Sequence, residues 1–143
     1  MILAMTTRPL IEARHALGHA KIDADHFDIA DYWLQAMSCE SIAIPFFIAR
    51  LRKRMRNSFN DEAGLVEAAG SWLGRAHQWE HAAMLELCDA AYELSKSDRR
   101  GARALLRKRL PRLMREHIIC MDQVAVLVIN TAMQGQAIPD PQS

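Results

Sequence analysis

Apolar residues recur every three or four positions along most of the chain, which is the spacing of one face of an α-helix. Short polar or glycine-containing segments divide this pattern into separate stretches. Residues that favour helix, chiefly Ala, Leu, Met, Arg and Glu, fill the positions between the apolar ones. The predicted helices cover residues 23–37, 41–69, 75–94 and 102–133. Helices joined by such short connections predict an all-α protein, an antiparallel up-down-up-down four-helix bundle.

The two ends of the chain depart from the pattern and define its domain organisation. Pro9 and Gly18 interrupt the helical periodicity, so residues 1–22 are predicted to form an N-terminal arm. Residues 23–134 would then form the bundle. Residues 135–143 contain Gly, Pro and Gln and no apolar stripe, and we expect them to form a flexible tail.

Particular residues suggest where the helices begin and bend. Asp23 or Asp25 can cap the first helix, and Ser41 can cap the second. Pro111 lies inside the last helical pattern, where it predicts either a kink or the true start of that helix.

Composition narrows the class of protein. The chain has 143 residues, half of them hydrophobic and 24% charged, which fits one soluble domain. A formal net charge of +1 favours neither a nucleic-acid nor a membrane partner, and we identify no apolar run near the roughly 20 residues that span a bilayer. The three cysteines form no CxxC pair, which favours reduced thiols and a cytoplasmic location. The sequence leaves the oligomeric state open.

Histidines and carboxylates lie on the predicted inner faces of the helices. His77 and His81 are four residues apart, so their imidazoles project from one helix face and can hold one metal ion. The other helices add four more side chains of this kind, His26, Glu62, His117 and Asp122. A single core histidine is more often hydrogen-bonded than a ligand, and a single carboxylate can pair with an arginine. Burying the whole set without partners would be costly, so together they predict a metal site in the bundle core.

The same residues resemble the hemerythrin family of bacterial, HHE-type non-haem diiron proteins. That family has a His on helix one, HxxxE on helix two, HxxxH on helix three and HxxxxD on helix four. The matching segments here are Ile22–Phe27, Phe59–Glu62, His77–His81 and His117–Asp122. They occur in order, one on each predicted helix, and the resemblance spans about residues 19–125.

The resemblance implies a cofactor and a role for each residue. It implies two iron ions with an oxo or hydroxo bridge. His77, His81 and His117 would bind the saturated iron, and Glu62 and Asp122 would bridge the two ions. His26 would bind the second iron, which in this family has the open position for O2.

The chain departs from the family pattern at Ser58, where the pattern has a histidine on the second iron. A serine hydroxyl is a poor iron ligand, so we expect water or another donor there. The candidates are His15 or His19 from the arm, or Asp61 after a local shift. On an extended first helix His19 would lie about 10 Å from His26 along the axis, so it could contribute only if the arm folds back.

Three functions fit these observations. The first is a protein that binds O2, NO or peroxide at the second iron for storage, delivery or sensing. Its ligand pocket would be lined by Ser58, Ile29, Phe59 and Ile118. The second is a diiron enzyme that reduces peroxide, NO or O2, or oxidises a substrate, because Ser58 leaves the second iron poor in ligands. The third is a bundle with one metal and a structural or signalling role.

Overall fold

The computed structural model describes residues 8–70, 74–135 and 142, and in that part of the chain it contains helices and no strand. The α-helices are α1 (Ala20–Ser38), α2 (Ile44–Ala68), α3 (Gly74–Ser95), α4 (Arg99–His117) and α5 (Gln123–Met133). A π-helical segment, Ile118–Asp122, joins α4 to α5, so these three elements form one long helix. The predicted all-α four-helix bundle is confirmed.

Each helix packs against the next one along the chain, α1 on α2, α2 on α3 and α3 on α4. Short connections between packed neighbours favour the antiparallel order. Apolar side chains from all of these helices form the core, and Trp33 is the largest of them, with 1% of its surface exposed. Its indole Nε1–H donates to the Leu106 carbonyl at 3.2 Å, so α1 and α4 are joined by a hydrogen bond as well as by packing.

The first helix begins earlier than the predicted caps, Asp23 and Asp25. His19 is the residue before α1, and its Nδ1 accepts a hydrogen bond from the Ile22 N–H at 3.2 Å. The Asp23 carboxylate instead accepts from the backbone N–H groups of the preceding turn, Leu17 at 2.7 Å and Gly18 at 2.9 Å. Asp23 therefore holds the arm against the start of α1.

The described part of the predicted arm packs against the bundle. Leu10 and Ile11 are buried in the main core, 1% and 5% exposed. The Arg115 guanidinium on α4 donates to the carbonyl of Leu10 at 2.9 Å and to that of Pro9. Most of the predicted flexible tail, residues 136–141 and 143, lies outside the described residues.

The last helix starts at Arg99, where the Asp98 side chain accepts from the Gly101 N–H at 2.8 Å. Helix α4 continues through the buried Pro111, so this proline does not mark the start of a helix. The helix Arg99–Met133 is long and apolar enough to cross a membrane. Core helices of soluble proteins meet the same criteria of length and composition. The cytoplasmic location stays a prediction.

Candidate metal centre

Five buried side chains bring their donor atoms to one point in the bundle core. These atoms all lie within 4.8 Å of one another, and they belong to Glu62, His77, His81, His117 and Asp122. Opposite ligands of one ion at 2.0–2.2 Å are roughly 4 Å apart, so the cluster could hold a metal after small adjustments. His26 lies at its edge, with Nε2 2.9 Å from Asp122 Oδ2 and 4.0 Å from Glu62 Oε2. The structure therefore brings the six predicted ligands together.

Three of the histidines, His77, His81 and His117, converge because of their positions on α3 and α4. His77 and His81 are one turn apart on α3, and their ring centroids are 4.1 Å apart. The His117 ring from α4 lies 4.9 Å from His77 and 4.7 Å from His81, and the Nε2 atoms of His81 and His117 are 3.0 Å apart. Phe59 stacks on His81 at 3.9 Å with 5° between the planes, which fixes the orientation of that imidazole.

His117 and Asp122 reach the same site because the helix between them is π-helical. In an α-helix, residues five apart differ in direction by about 140° and would face different neighbours. In a π-helix the backbone bonds run from i to i+5, so five residues make about one turn. The observed π segment Ile118–Asp122 accordingly brings Asp122 Oδ1 to 2.9 Å from His117 Nε2. The irregular turn is thus part of the site.

Several of these atoms are close together without forming hydrogen bonds. His77 Nε2 is 2.8 Å from Glu62 Oε1, and His26 Nε2 is 2.9 Å from Asp122 Oδ2. Yet Glu62 Oε1, Asp122 Oδ2 and both ring nitrogens of His26 have no aligned hydrogen-bond partner among the described residues. Buried polar atoms normally find partners, and atoms without one call for an explanation. A cation between them would satisfy them, so the residues present fit a bound metal.

Burial and close contacts set the protonation of the metal-free cluster. Burial raises the pKa of Glu62 to about 7, while the close imidazoles of His117, His26 and His77 keep the pKa of Asp122 below its usual range despite burial. Burial opposes a charge on His77, but Asp122 and Glu62 raise its pKa to about 9. For His81, burial and the neighbouring histidines lower the pKa to about 2. Protons therefore occupy part of the cluster, and a metal must displace them.

Glu80 is a site residue that the sequence reasoning missed. It lies within the His77–His81 motif, and its Oε2 is 2.7 Å from Nδ1 of His117. A carboxylate only accepts, so the Nδ1 atom carries the proton and Nε2 is left to face the cluster. Its position directly before His81, facing the neighbouring helix, is the only feature of the sequence that hinted at this role.

The surroundings of Ser58 also differ from what the sequence suggested. Ser58 is buried, 1% exposed, and its Oγ accepts a hydrogen bond from Nη1 of Arg54 at 2.7 Å. None of the three candidate protein donors takes this place. His15 accepts from the Glu12 N–H, His19 caps α1, and Asp61 pairs with Lys21. The side chain that contacts the Ser58 hydroxyl is instead Arg54, one turn earlier on α2.

The predicted apolar pocket residues are all buried. Ile29, Phe59 and Ile118 are 0%, 3% and 0% exposed and belong to the main core cluster. Phe59 contacts the site directly through His81. Whether these residues line a ligand pocket stays a prediction.

The fold and the site together define a class: a helical bundle with a buried cluster of His, Glu and Asp that could bind a metal, compatible with a hemerythrin-like fold. Comparisons of the chain with protein-family models, with curated proteins and with solved structures gave no match.

Proposed function

We propose that this protein is a hemerythrin-like non-haem diiron protein. In this proposal it binds O2, or a related small ligand such as NO or peroxide, on the His26 side of the cluster, for storage, delivery or sensing. The observation that carries the proposal is the convergence of six buried donor side chains. Three of their facing atoms, Glu62 Oε1, Asp122 Oδ2 and His26 Nε2, lack an aligned hydrogen bond. Two carboxylates among four histidines are more donors than one ion needs.

The two halves of the cluster differ in their supply of ligands. His77, His81 and His117 provide three imidazoles on one side, and His26 provides one on the other. Glu62 and Asp122 lie between them, each close to histidines of both halves. Bound iron would supply reversible electron transfer and a coordination position for the small ligand. The ligand-poor His26 side is where that position would be.

The chain's own residues would isolate and orient the site. Burial of all six donors removes them from bulk water, which strengthens electrostatic contacts and suppresses side reactions. Glu80 holds the His117 ring through Nδ1, and Phe59 holds the His81 ring by stacking. These contacts preorganise the three-histidine side.

Metal content decides between this proposal and a one-metal bundle. The one-metal reading has support, because the five donor atoms within 4.8 Å do not include His26. Anaerobic iron loading followed by elemental analysis should give two irons per chain, and His26→Ala should reduce this to one. The His19→Ala variant serves as the control, because it removes a half-buried histidine that caps α1 and lies outside the cluster. One iron in the unaltered protein would refute the diiron proposal.

Rapid mixing tests the ligand. The ferrous protein mixed with O2 should develop a ligand-to-metal charge-transfer band that disappears when O2 is removed. A protein that holds two irons but shows no such band with O2, NO or peroxide would exclude the small-ligand role.

A diiron enzyme is the second candidate, and the absence of a histidine at Ser58 favours it. With serine at this position, a metal on the His26 side would have fewer protein ligands, which would suit reduction of peroxide or NO. Ser58→His should lower peroxide turnover and make O2 binding more readily reversible. Turnover that is unchanged or higher in Ser58→His would count against the enzyme.

A further inference from the structure

The Arg54 guanidinium connects the solvent to the His26 side of the site. Its Nη1 donates to the buried Ser58 Oγ at 2.7 Å, and its Nη2 donates to Asp25 Oδ1 at 2.9 Å. Its Nε–H pairs with Asp28. Asp25 directly precedes His26 in the sequence, and Ser58 is buried one turn before Glu62 on the same face of α2. Arg54 thus borders the half of the site that is short of ligands.

The other side of Arg54 faces an open surface cavity. This cavity has a volume of about 260 Å³ and is lined by Tyr32, Arg50, Lys53, Arg54 and Asn57. The Arg54 side chain is 23% exposed, against 7% for Asp25, so it reaches from the cavity into buried surroundings. Among the described residues, Arg50 and Lys53 form no ion pair with a carboxylate. Their unpaired positive charges would concentrate small anions at this cavity.

Arg54 keeps donors available for a ligand. A guanidinium has five N–H donors, and the contacts to Ser58, Asp25 and Asp28 use one nitrogen each. One N–H on Nη1 and one on Nη2 are left over. Asp25 and Asp28 hold the guanidinium in place, so binding an anion would cost little further ordering.

We propose that the cavity lined by Arg50, Lys53 and Arg54 admits a small oxyanion, and that Arg54 holds this anion beside the His26 side of the metal site. This rests on the proposed function, because the anion would also contact the second metal. Arg54 would then be the specificity-determining residue. It would favour anionic ligands, such as nitrite or hydroperoxide, over neutral diatomic ones.

The test uses the iron-loaded ferric protein with nitrite as the anionic probe, titrated by absorption spectroscopy. Arg54→Gln should weaken nitrite binding by about ten- to a hundredfold, because a hydrogen bond to a charged group is worth that much in an equilibrium constant. The nitrite affinity of Arg54→Lys should lie between those of the unaltered protein and Arg54→Gln, since lysine keeps the positive charge but lacks the planar set of guanidinium donors. Arg52→Gln is the matched control, because Arg52 pairs with Asp89 and does not contact Ser58, and it should bind nitrite normally.

Neutral NO separates anion recognition from a general effect on the site. Its affinity for the ferrous protein should be equal in the unaltered protein, Arg54→Gln and Arg52→Gln. Unchanged nitrite affinity in Arg54→Gln would overturn the proposal and leave Arg54 as a structural partner of Asp25 and Asp28. Equal losses of nitrite and NO would also overturn it.

Two further measurements keep the outcome clear. If Arg54→Gln does not fold, Ser58→Ala tests the same idea, because it frees Nη1 and should leave nitrite binding as strong or make it stronger; a loss would overturn the proposal. Iron content is measured first. An unaltered protein with two irons that binds NO but not nitrite refutes the Arg54 proposal alone, whereas one that fails to hold the second iron refutes both.

Discussion

Replacing Glu80 by leucine would remove the carboxylate that orients His117 while leaving every candidate ligand in place. Glu80 Oε2 is 2.7 Å from Nδ1 of His117, and this contact requires Nδ1 to carry the proton. Without it, the His117 ring can rotate or adopt the other tautomer. Either change takes the Nε2 lone pair away from the cluster, so we expect weaker metal binding on the three-histidine side.

The structure sets the size of this effect. Changing a carboxylate that holds a metal-binding histidine typically costs about 10- to 100-fold in affinity. The Glu80 side chain is 41% exposed, so water can partly replace it as an acceptor and the loss should fall in the lower half of that range. Glu80→Gln keeps an acceptor oxygen and should lose less than Glu80→Leu.

The assay is competition for iron against a chelator of known affinity, followed by absorption under anaerobic conditions. Glu86→Leu is the matched control, because Glu86 is exposed on the same helix. Circular dichroism checks that each variant retains its helices. Iron affinity in Glu80→Leu equal to that in Glu86→Leu would refute the reasoning that this hydrogen bond orients His117.

The remaining predictions concern stability. In the metal-free protein, the pKa of His77 is raised from 6.5 to about 9, so its contribution to stability is complete below pH 6.5 and is lost as the pH rises through 9. The free energy of unfolding should therefore fall between pH 7 and 9, by up to about 1.4 kcal/mol per pH unit, in urea titrations; a flat profile would contradict it. Iron affinity should rise over the same range, because the metal replaces that proton. Adding iron should raise the melting temperature, with about 2.7 kcal/mol gained at a free concentration 100 times Kd, and a chelator should reverse the shift; calorimetry would show no change if the site does not bind metal. Trp33→Ala should cost about 3–5 kcal/mol, whereas the exposed Trp79→Ala should change the free energy of unfolding by less than about 0.5 kcal/mol; similar losses for the two would refute the assignment of Trp33 to the core.

The apolar periodicity alone predicted the helices and the bundle, because burying one face of each helix is the main source of stability for such a fold. It also placed His77 and His81 on one face, since residues four apart on an α-helix point the same way whatever surrounds them. The start of α1 was less well determined. Both His19 and Asp23 can accept backbone hydrogen bonds, and only the path of the arm decides which one caps the helix.

The tertiary structure decided how the helices meet at the site. The π turn before Asp122 departs from the regular α-helical spacing. It brings the Asp122 carboxylate into contact with His26 on α1 and His77 on α3. The contact of Glu80 with His117 joins two helices that the sequence treats separately. The clearest case is the hydrogen bond from Arg54 to Ser58. In the sequence, Arg54 is one of several basic residues at positions 50–56, and such a run is typical of a solvent-exposed helix face. Such pairings depend on the distance and rotation between packed helices, which no pattern within one helix specifies.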